Sequence, residues 1–194
     1  MLLREEILDA ARELFLKHGY ENVSMRKIAS KIEYSPTTIY LYFNDKAEIL
    51  RTLCEETFGR LSKIMDEIER GPGDPLTKLR RHGLAYIHFG LEHPNHYQLN
   101  FMTRLEEPVK NAEDFAHSAG MQTFQHLVNS VRACVESGQF RDIDVMAASQ
   151  GIWCAVHGVT SLLIAQCGFP FVEREHLIST VLDAVANAYR APGP

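Results

Sequence analysis

Ser24-Met-Arg-Lys-Ile-Ala-Ser-Lys-Ile-Glu-Tyr-Ser-Pro-Thr-Thr-Ile-Tyr-Leu-Tyr-Phe-Asn-Asp-Lys46 decides the fold. It reads as two short helices joined by a tight turn, with a third helix starting at its end. Ser24 is a good N-cap, and Val23 before it can close over Ile28 as a hydrophobic staple. Ile28, Ala29 and Ile32 recur at helical spacing and mark one buried face. Ser35 followed by Pro36 is a second start signal, because proline suits a position whose N–H has no helical partner. Within this second helix, Pro36 to Phe43, Ile39 and Phe43 point inward. Thr37, Thr38, Leu41 and Tyr42 are left outward, with Tyr40 at the edge.

A surface helix usually shows glutamates and lysines; this one shows hydroxyls and aromatics. Hydroxyls exchange hydrogen bonds with base edges, and a threonine methyl can touch a thymine methyl. Tyrosine hydroxyls reach phosphate oxygens. Arg26, Lys27, Lys31 and Lys46 surround the helix, against only Glu33 and Asp45. A helical hairpin with incidental surface Thr and Tyr would share the spacing. The two consecutive capped starts, the small Ala29 at the crossing and the depleted acidic face favour a helix-turn-helix with a recognition helix at Pro36. Ser24 and Arg26 are expected to anchor phosphates. Ser35, Pro36, Thr37, Thr38 and Leu41 are expected to face bases, while Tyr40, Tyr42 and Lys46 hold the backbone.

Residues 4–53 resemble the N-terminal DNA-binding domain of the tetracycline-repressor (TetR) family of transcriptional regulators. The matching marks are Ile7-Leu8-x-Ala-Ala-x-x-Leu-Phe15, Lys17-His18-Gly19-Tyr20, Ser24-Met-Arg-Lys-Ile-Ala29, and Thr38-Ile-Tyr-Leu-Tyr-Phe43 with Lys46. Glu33 departs from the pattern, since the family usually carries glycine in this turn. A glutamate forced to φ > 0 there costs on the order of 1 kcal/mol.

The chain of 194 residues has a formal net charge of −5, which argues against coating DNA irrespective of sequence. Charge is distributed unevenly. Ser24 to Lys46 holds four basic and two acidic residues, whereas Met1 to Val23 holds three basic and five acidic ones. Binding is therefore expected on one face only, and to weaken with salt. Cys54, Cys134, Cys154 and Cys167 show no C-x-x-C spacing and sit in apolar helical contexts, as reduced thiols of a cytoplasmic protein do. The N-terminus enters an amphipathic, acidic helix directly, without a signal-peptide pattern.

All remaining patterns are helical, so the expected class is all-α, with about nine helices. Helix 1 spans about Arg4 to Lys17 and is closed by Gly19. Asn44 or Asp45 caps a long helix, about 45–70, that connects a DNA-binding domain (1–48) to a larger effector-binding and dimerisation domain (49–194). Gly71-Pro-Gly-Asp-Pro75 is the clearest break. Helices then follow over Leu76 to His93, from Pro94, and over about Ala112 to Ser137 after a loop at 106–111. Asp142 or Asp144 caps another, Val145 to Gln166, and the last runs from about Val172 to Tyr189.

Val145 to Val172 contains no Asp, Glu, Lys or Arg. Ser149, Gln150, His157, Thr160, Ser161 and Gln166, with no positively charged flank, argue against a membrane span. The better reading is a helix buried on nearly all sides, which needs a second copy. Gly151, Ala155 and Gly158 form a small-residue stripe, and this helix with the last one is the expected homodimer interface. A dimer is also what a single helix-turn-helix needs to read an inverted-repeat operator on double-stranded DNA. Trp153-Cys-Ala-Val-His157-Gly158, preceded by Gly138-Gln-Phe-Arg141, resembles the tryptophan–histidine–glycine signature of one TetR subgroup.

The family resemblance implies a C-terminal cavity whose small-molecule effector, unidentified from sequence, releases a repressor from DNA. Tyr86, Phe89, Tyr97, Phe101, Met102, Phe124, Trp153 and His157 are the apolar and aromatic candidates for its lining, Tyr97, Phe101, Phe124, Trp153 and His157 preferred among them, and core packing is the competing explanation. Other chemistry finds little support. His82, His88, His93 and His96 cluster, but the His93/His96 pair straddles the helix-breaking Pro94, so no metal or other cofactor is expected. There is no G-x-S-x-G, phosphate-cradling glycine loop or H-E-x-x-H, and Cys154 near His157 has no orienting acid, so catalytic residues are not expected. The alternative class is a helical small-molecule-binding protein without a DNA function.

Overall fold

The computed structural model describes residues 2–102, 118–165 and 168–191. Among them are nine α-helices and no strand: α1 (Leu2–His18), α2 (Met25–Lys31), α3 (Pro36–Tyr40), α4 (Lys46–Arg70), α5 (Pro75–Glu92), α6 (Pro94–Met102), α7 (Ala119–Glu136), α8 (Val145–Ala165) and α9 (Arg174–Tyr189). A 3₁₀ turn at Tyr20–Asn22 follows α1, entered through Gly19 at φ 77°. The expected loop at 106–111, Gln166, Cys167 and the final Pro192-Gly-Pro194 lie outside the described residues.

Helix starts follow local side-chain chemistry. Asp45 Oδ1 accepts from the Glu48 N–H at 2.6 Å, and the Glu48 carboxylate accepts from the Asn44 N–H at 2.7 Å. This capping box, in which Glu48 reaches back to Asn44 and not to Asp45 itself, fixes the start of α4. Asp74 caps α5 and Asp144 caps α8 in the same way, each accepting two backbone N–H groups. Ser118 caps α7 through the Met121 N–H in an extended conformation, so α7 starts at Ala119; the expected stretch from Ala112 to His117 lies outside the described residues. The last helix begins two residues later than Val172, because Glu173 is its cap.

The chain divides into two compact units. The first takes in Met1–Phe58 and, of Asn95–Phe115, the described residues through Met102. Its core joins Ile7, Ala11 and Phe15 of α1 to Val23, Ile28, Ala29, Ile39 and Phe43, and is completed by Ile49, Leu50 and Leu53 of α4 and Leu99 of α6. This division falls beyond residue 48, because the first turns of α4 contribute apolar side chains that the three N-terminal helices need for closure. The second unit comprises Gly59–Pro94 and Ala116–Pro194. There α5 packs on α7, α8 and α9, with Leu79, Val131, Cys134, Phe140, Ala148 and Ile152 buried together. An isolated bridge between Phe140 and Arg190 ties the α7–α8 turn to the end of α9.

Candidate nucleic-acid interface and C-terminal aromatic cluster

Ser24 and Ser35 both act as N-caps. Ser24 Oγ accepts from the Lys27 N–H at 3.3 Å, and Ser35 Oγ from the Thr38 N–H at 3.2 Å with Pro36 in the first turn. Ile39 and Phe43 are buried, which turns the opposite face of α3 outward. Tyr40 is 54% exposed, Leu41 79% and Tyr42 41%. Thr37 is exposed and Thr38 part-buried, with its hydroxyl 2.9 Å from that of Ser35. A lone exposed leucine needs no explanation, but Leu41 flanked by two exposed tyrosines is an apolar, hydroxyl-tipped patch. The helix itself ends at Tyr40, short of Phe43. Leu41 and Tyr42 donate three residues back, to the carbonyls of Thr38 and Ile39, so the chain tightens before the α4 capping box.

Glu33 takes φ 61° in the turn between α2 and α3, the one positive-φ non-glycine residue among those described. The backbone thus keeps the turn conformation that glycine would adopt freely, with glutamate in it.

The basic residues differ in their engagement. Arg26 is exposed and has no hydrogen-bond or ion-pair partner among the described residues. Lys31 pairs with Glu13 at 2.8 Å, and its hydrogen bond and charge hold the Glu13 carboxyl below the usual range. Lys46 donates to the Tyr20 carbonyl at 3.2 Å and lies 4.2 Å above the Tyr20 ring. Sequence spacing gave no sign of this contact, because the partner precedes Lys46 by a helix pair.

In the second unit three of the five preferred effector candidates, Phe124, Trp153 and His157, come together around Tyr86, another of the lining candidates. The Trp153 Nε1–H donates to the Tyr86 hydroxyl at 3.3 Å, and that hydroxyl is 3.0 Å from Nδ1 of His157. Either the phenol or the imidazole can be the donor in the Tyr86–His157 contact, according to the imidazole tautomer. Burial lowers the His157 pKa from its ordinary value. Phe124 stacks edge-on against Trp153, ring centroids 5.9 Å apart. Tyr97 and Phe101 belong to the first unit instead, where Phe101 packs against Phe58.

The small-residue stripe on α8 is not uniform. A Cβ on Gly151 would stand 3.0 Å from the Tyr189 hydroxyl, so that gap is filled from within the chain, while Gly158 is open. Ala155 is part-buried. Met146, Trp153 and Leu162 of α8 are substantially exposed, as are Phe169 and Val172 beyond it. By length and composition α8 could cross a membrane. Cys154 is exposed, whereas burial pushes the Cys54 and Cys134 thiols up to about 12, where they are unreactive.

A capped helix pair with an outward hydroxyl and aromatic face, joined to a helical C-terminal domain, defines a helix-turn-helix regulator. Residues 7–53 match the family described as "Bacterial regulatory proteins, tetR family", and residues 79–185 match "Tetracyclin repressor-like, C-terminal domain". The second match alone covers more than half of the chain: it belongs to the tetR family of regulators, which are not enzymes. The fatty acid metabolism regulator protein of Bacillus subtilis (strain 168) is 33% identical over 108 residues, 56% of this chain and 54% of the relative. The transcriptional repressor AcnR of Corynebacterium diphtheriae is 33% identical over 64 residues, 33% of this chain and 34% of that protein. The chain thus spans about half, or less, of the length of these relatives. In structure, a tetR-family regulatory protein from Rhodococcus RHA1 superposes with a TM-score of 0.77 at 16% identity, covering 98% of both chains.

Proposed function

We propose that this protein is a sequence-specific transcriptional repressor that binds an inverted-repeat operator as a cytoplasmic homodimer and is released by a small-molecule effector. The observation that carries the DNA reading is the outward face of α3, where Thr37, Thr38, Tyr40, Leu41 and Tyr42 stand clear of a core closed by Ile39 and Phe43. Thr37, Thr38, Ser35, Pro36 and Leu41 address base edges; Ser24, Arg26, Tyr40, Tyr42 and Lys46 address phosphates.

The dimer reading is supported by α8, a charge-free helix whose Met146, Trp153 and Leu162 are exposed in one copy. Covering that apolar surface with a second copy also supplies the paired recognition helices that two half-sites require. Ala155 and Gly158 allow close helix approach there, and Gly151 does so less, since Tyr189 already occupies its gap.

The effector reading is supported by the Tyr86–Trp153–His157 cluster with Phe124, which combines aromatic surface with a polar relay. The Trp153–His157–Gly158 spacing supports placement in the tryptophan–histidine–glycine subgroup. The Bacillus subtilis relative is named for fatty acid metabolism, so an amphiphile with a long apolar chain is the first effector class to test. Its effect is bounded by its differential affinity for the DNA-competent and released states.

The test is selection of bound fragments from the source genome, with the stoichiometry of the winning complex. An enriched inverted repeat holding two protomers supports the proposal. No enrichment over random DNA overturns it in favour of a small-molecule-binding protein without a DNA function.

A further inference from the structure

Two lysines from different helices end on the short 3₁₀ turn Tyr20–Asn22. Lys46, at the start of α4, donates to the Tyr20 carbonyl at 3.2 Å; Lys27, in α2, donates to the Asn22 carbonyl at 2.7 Å. The turn is itself fastened. Tyr20 is buried against Phe15, ring centroids 5.2 Å apart, and the Asn22 side chain donates to the His18 carbonyl at 2.9 Å. An ammonium has three donors, so a carbonyl uses one and leaves two. Long lysine stems lose considerable rotamer freedom when they bind an anion; here the surrounding structure has already restricted them.

One carboxylate competes for this site. Glu21 Oε2 lies 3.8 Å from Lys46 Nζ, while among the described residues no carboxylate lies within 4.0 Å of Lys27 Nζ. The Glu21 side chain is more than half exposed, so the pair is weak, screened by salt and readily exchanged.

We infer that the Tyr20–Asn22 turn is a platform presenting Lys27 together with Lys46 to the DNA backbone, and that Glu21 attenuates affinity by competing with phosphate for Lys46. The inference rests on the DNA-binding reading and extends it to Lys27 and Glu21, to which that reading gives no role. Phosphates carry no sequence information, so the platform sets the strength of binding and not its selectivity.

The experiment is titration of duplex DNA with the full-length protein at two salt concentrations. Glu21→Gln is expected to bind about threefold more tightly at low salt, on selected and unselected duplex alike, with the gain shrinking at high salt. Glu92→Gln, an equal charge change at an exposed residue ending α5, controls for net charge and is expected to stay near wild type. Lys27→Ala is expected to weaken binding to all sequences and to reduce the salt slope by about one, with Lys27→Arg restoring it. Glu21→Gln in a Lys46→Ala background is expected to have no further effect. Equal behaviour of Glu21→Gln and Glu92→Gln, or an unchanged salt slope in Lys27→Ala with native circular dichroism, overturns the platform. If the wild type prefers no sequence, the operator reading falls, and the same titrations on unselected duplex still decide the platform.

Discussion

The Ser130 hydroxyl stands between His82 and Glu69, 2.8 Å from Nδ1 of the imidazole and 2.9 Å from the Glu69 carboxylate. The other ring nitrogen of His82 faces the Met65 carbonyl at 3.2 Å, where it can only donate. The Ser130 hydroxyl donates to Glu69, so neutral His82 bonds Ser130 only with its proton on Nδ1, which leaves Nε2 bare before the Met65 carbonyl. One more proton satisfies all three contacts. Burial nevertheless lowers the His82 pKa, aided by His126 and Lys78 and opposed by the Met65 carbonyl and Glu69.

The sign of the pH dependence follows. With a folded pKa below the ordinary 6.5, the unfolded chain takes up protons first as pH falls. His82 therefore supports stability fully above about pH 6.5 and loses that contribution progressively below it, and His157 acts in the same direction. Thermal melts at pH 7.5 and 5.5 should show the lower Tm in acid. Glu69→Gln replaces the charged acceptor of the Ser130 hydroxyl with a neutral amide oxygen and should cost about 1 kcal/mol of stability at pH 7.5. Unchanged or greater stability in that variant would contradict donation from Ser130 to Glu69.

Glu33 sits in left-handed backbone at φ 61°. Glu33→Gly should relieve the strain, offset in part by greater freedom of the unfolded chain, for a net gain of about 0.5–1 kcal/mol. Glu33→Val should instead destabilise by more than 1 kcal/mol, since a β-branched residue tolerates this region poorly. Chemical denaturation of the three proteins measures both.

Trp153 is the sole tryptophan of the chain and reports on its own cluster. Its ring centroid is 5.9 Å from that of His157, and a protonated imidazole quenches indole emission. Fluorescence should therefore fall as pH drops below about 6.5, and His157→Gln should remove that step. Tyr86→Phe breaks both hydrogen bonds of the relay and should shift the emission at neutral pH. A pH-independent signal in the parent protein would contradict burial of a titrating His157 beside Trp153.

Ser35→Ala removes the cap of α3 and the hydroxyl beside Thr38. It should cost about 1 kcal/mol of stability by denaturation. A change below about 0.3 kcal/mol would show that Pro36 and the core residues Ile39 and Phe43 hold the short helix without its cap.

Local chemistry was legible in the sequence wherever cause and effect lie within one helical turn. Ser24, Ser35 and Asp144 cap the helices they precede, and Glu33 takes the strained φ its departure from glycine implied. What stayed hidden depends on distant partners. Nothing near Lys46 points to the Tyr20 carbonyl, nor does the spacing at Gly151 reveal the Tyr189 hydroxyl. The His82 network joins Met65 and Glu69 of α4, His82 of α5 and Ser130 of α7, three helices whose packing no local pattern encodes. The candidate effector residues divided for the same reason: aromatic character marks Tyr97 and Trp153 alike, and only tertiary structure sends one to each unit. The end of α3 at Tyr40 was missed because Leu41 to Phe43 keep helical spacing while the backbone tightens.

The measurement that bears most directly on the DNA reading compares affinity for the selected operator with that for a scrambled duplex, in wild type, Thr38→Ala and Lys46→Ala, at two salt concentrations. Thr38→Ala should lose much of the operator-to-scrambled ratio while keeping the salt slope. Lys46→Ala should weaken both duplexes alike and flatten the slope by about one. Equal, sequence-blind losses from both substitutions would contradict base reading by α3.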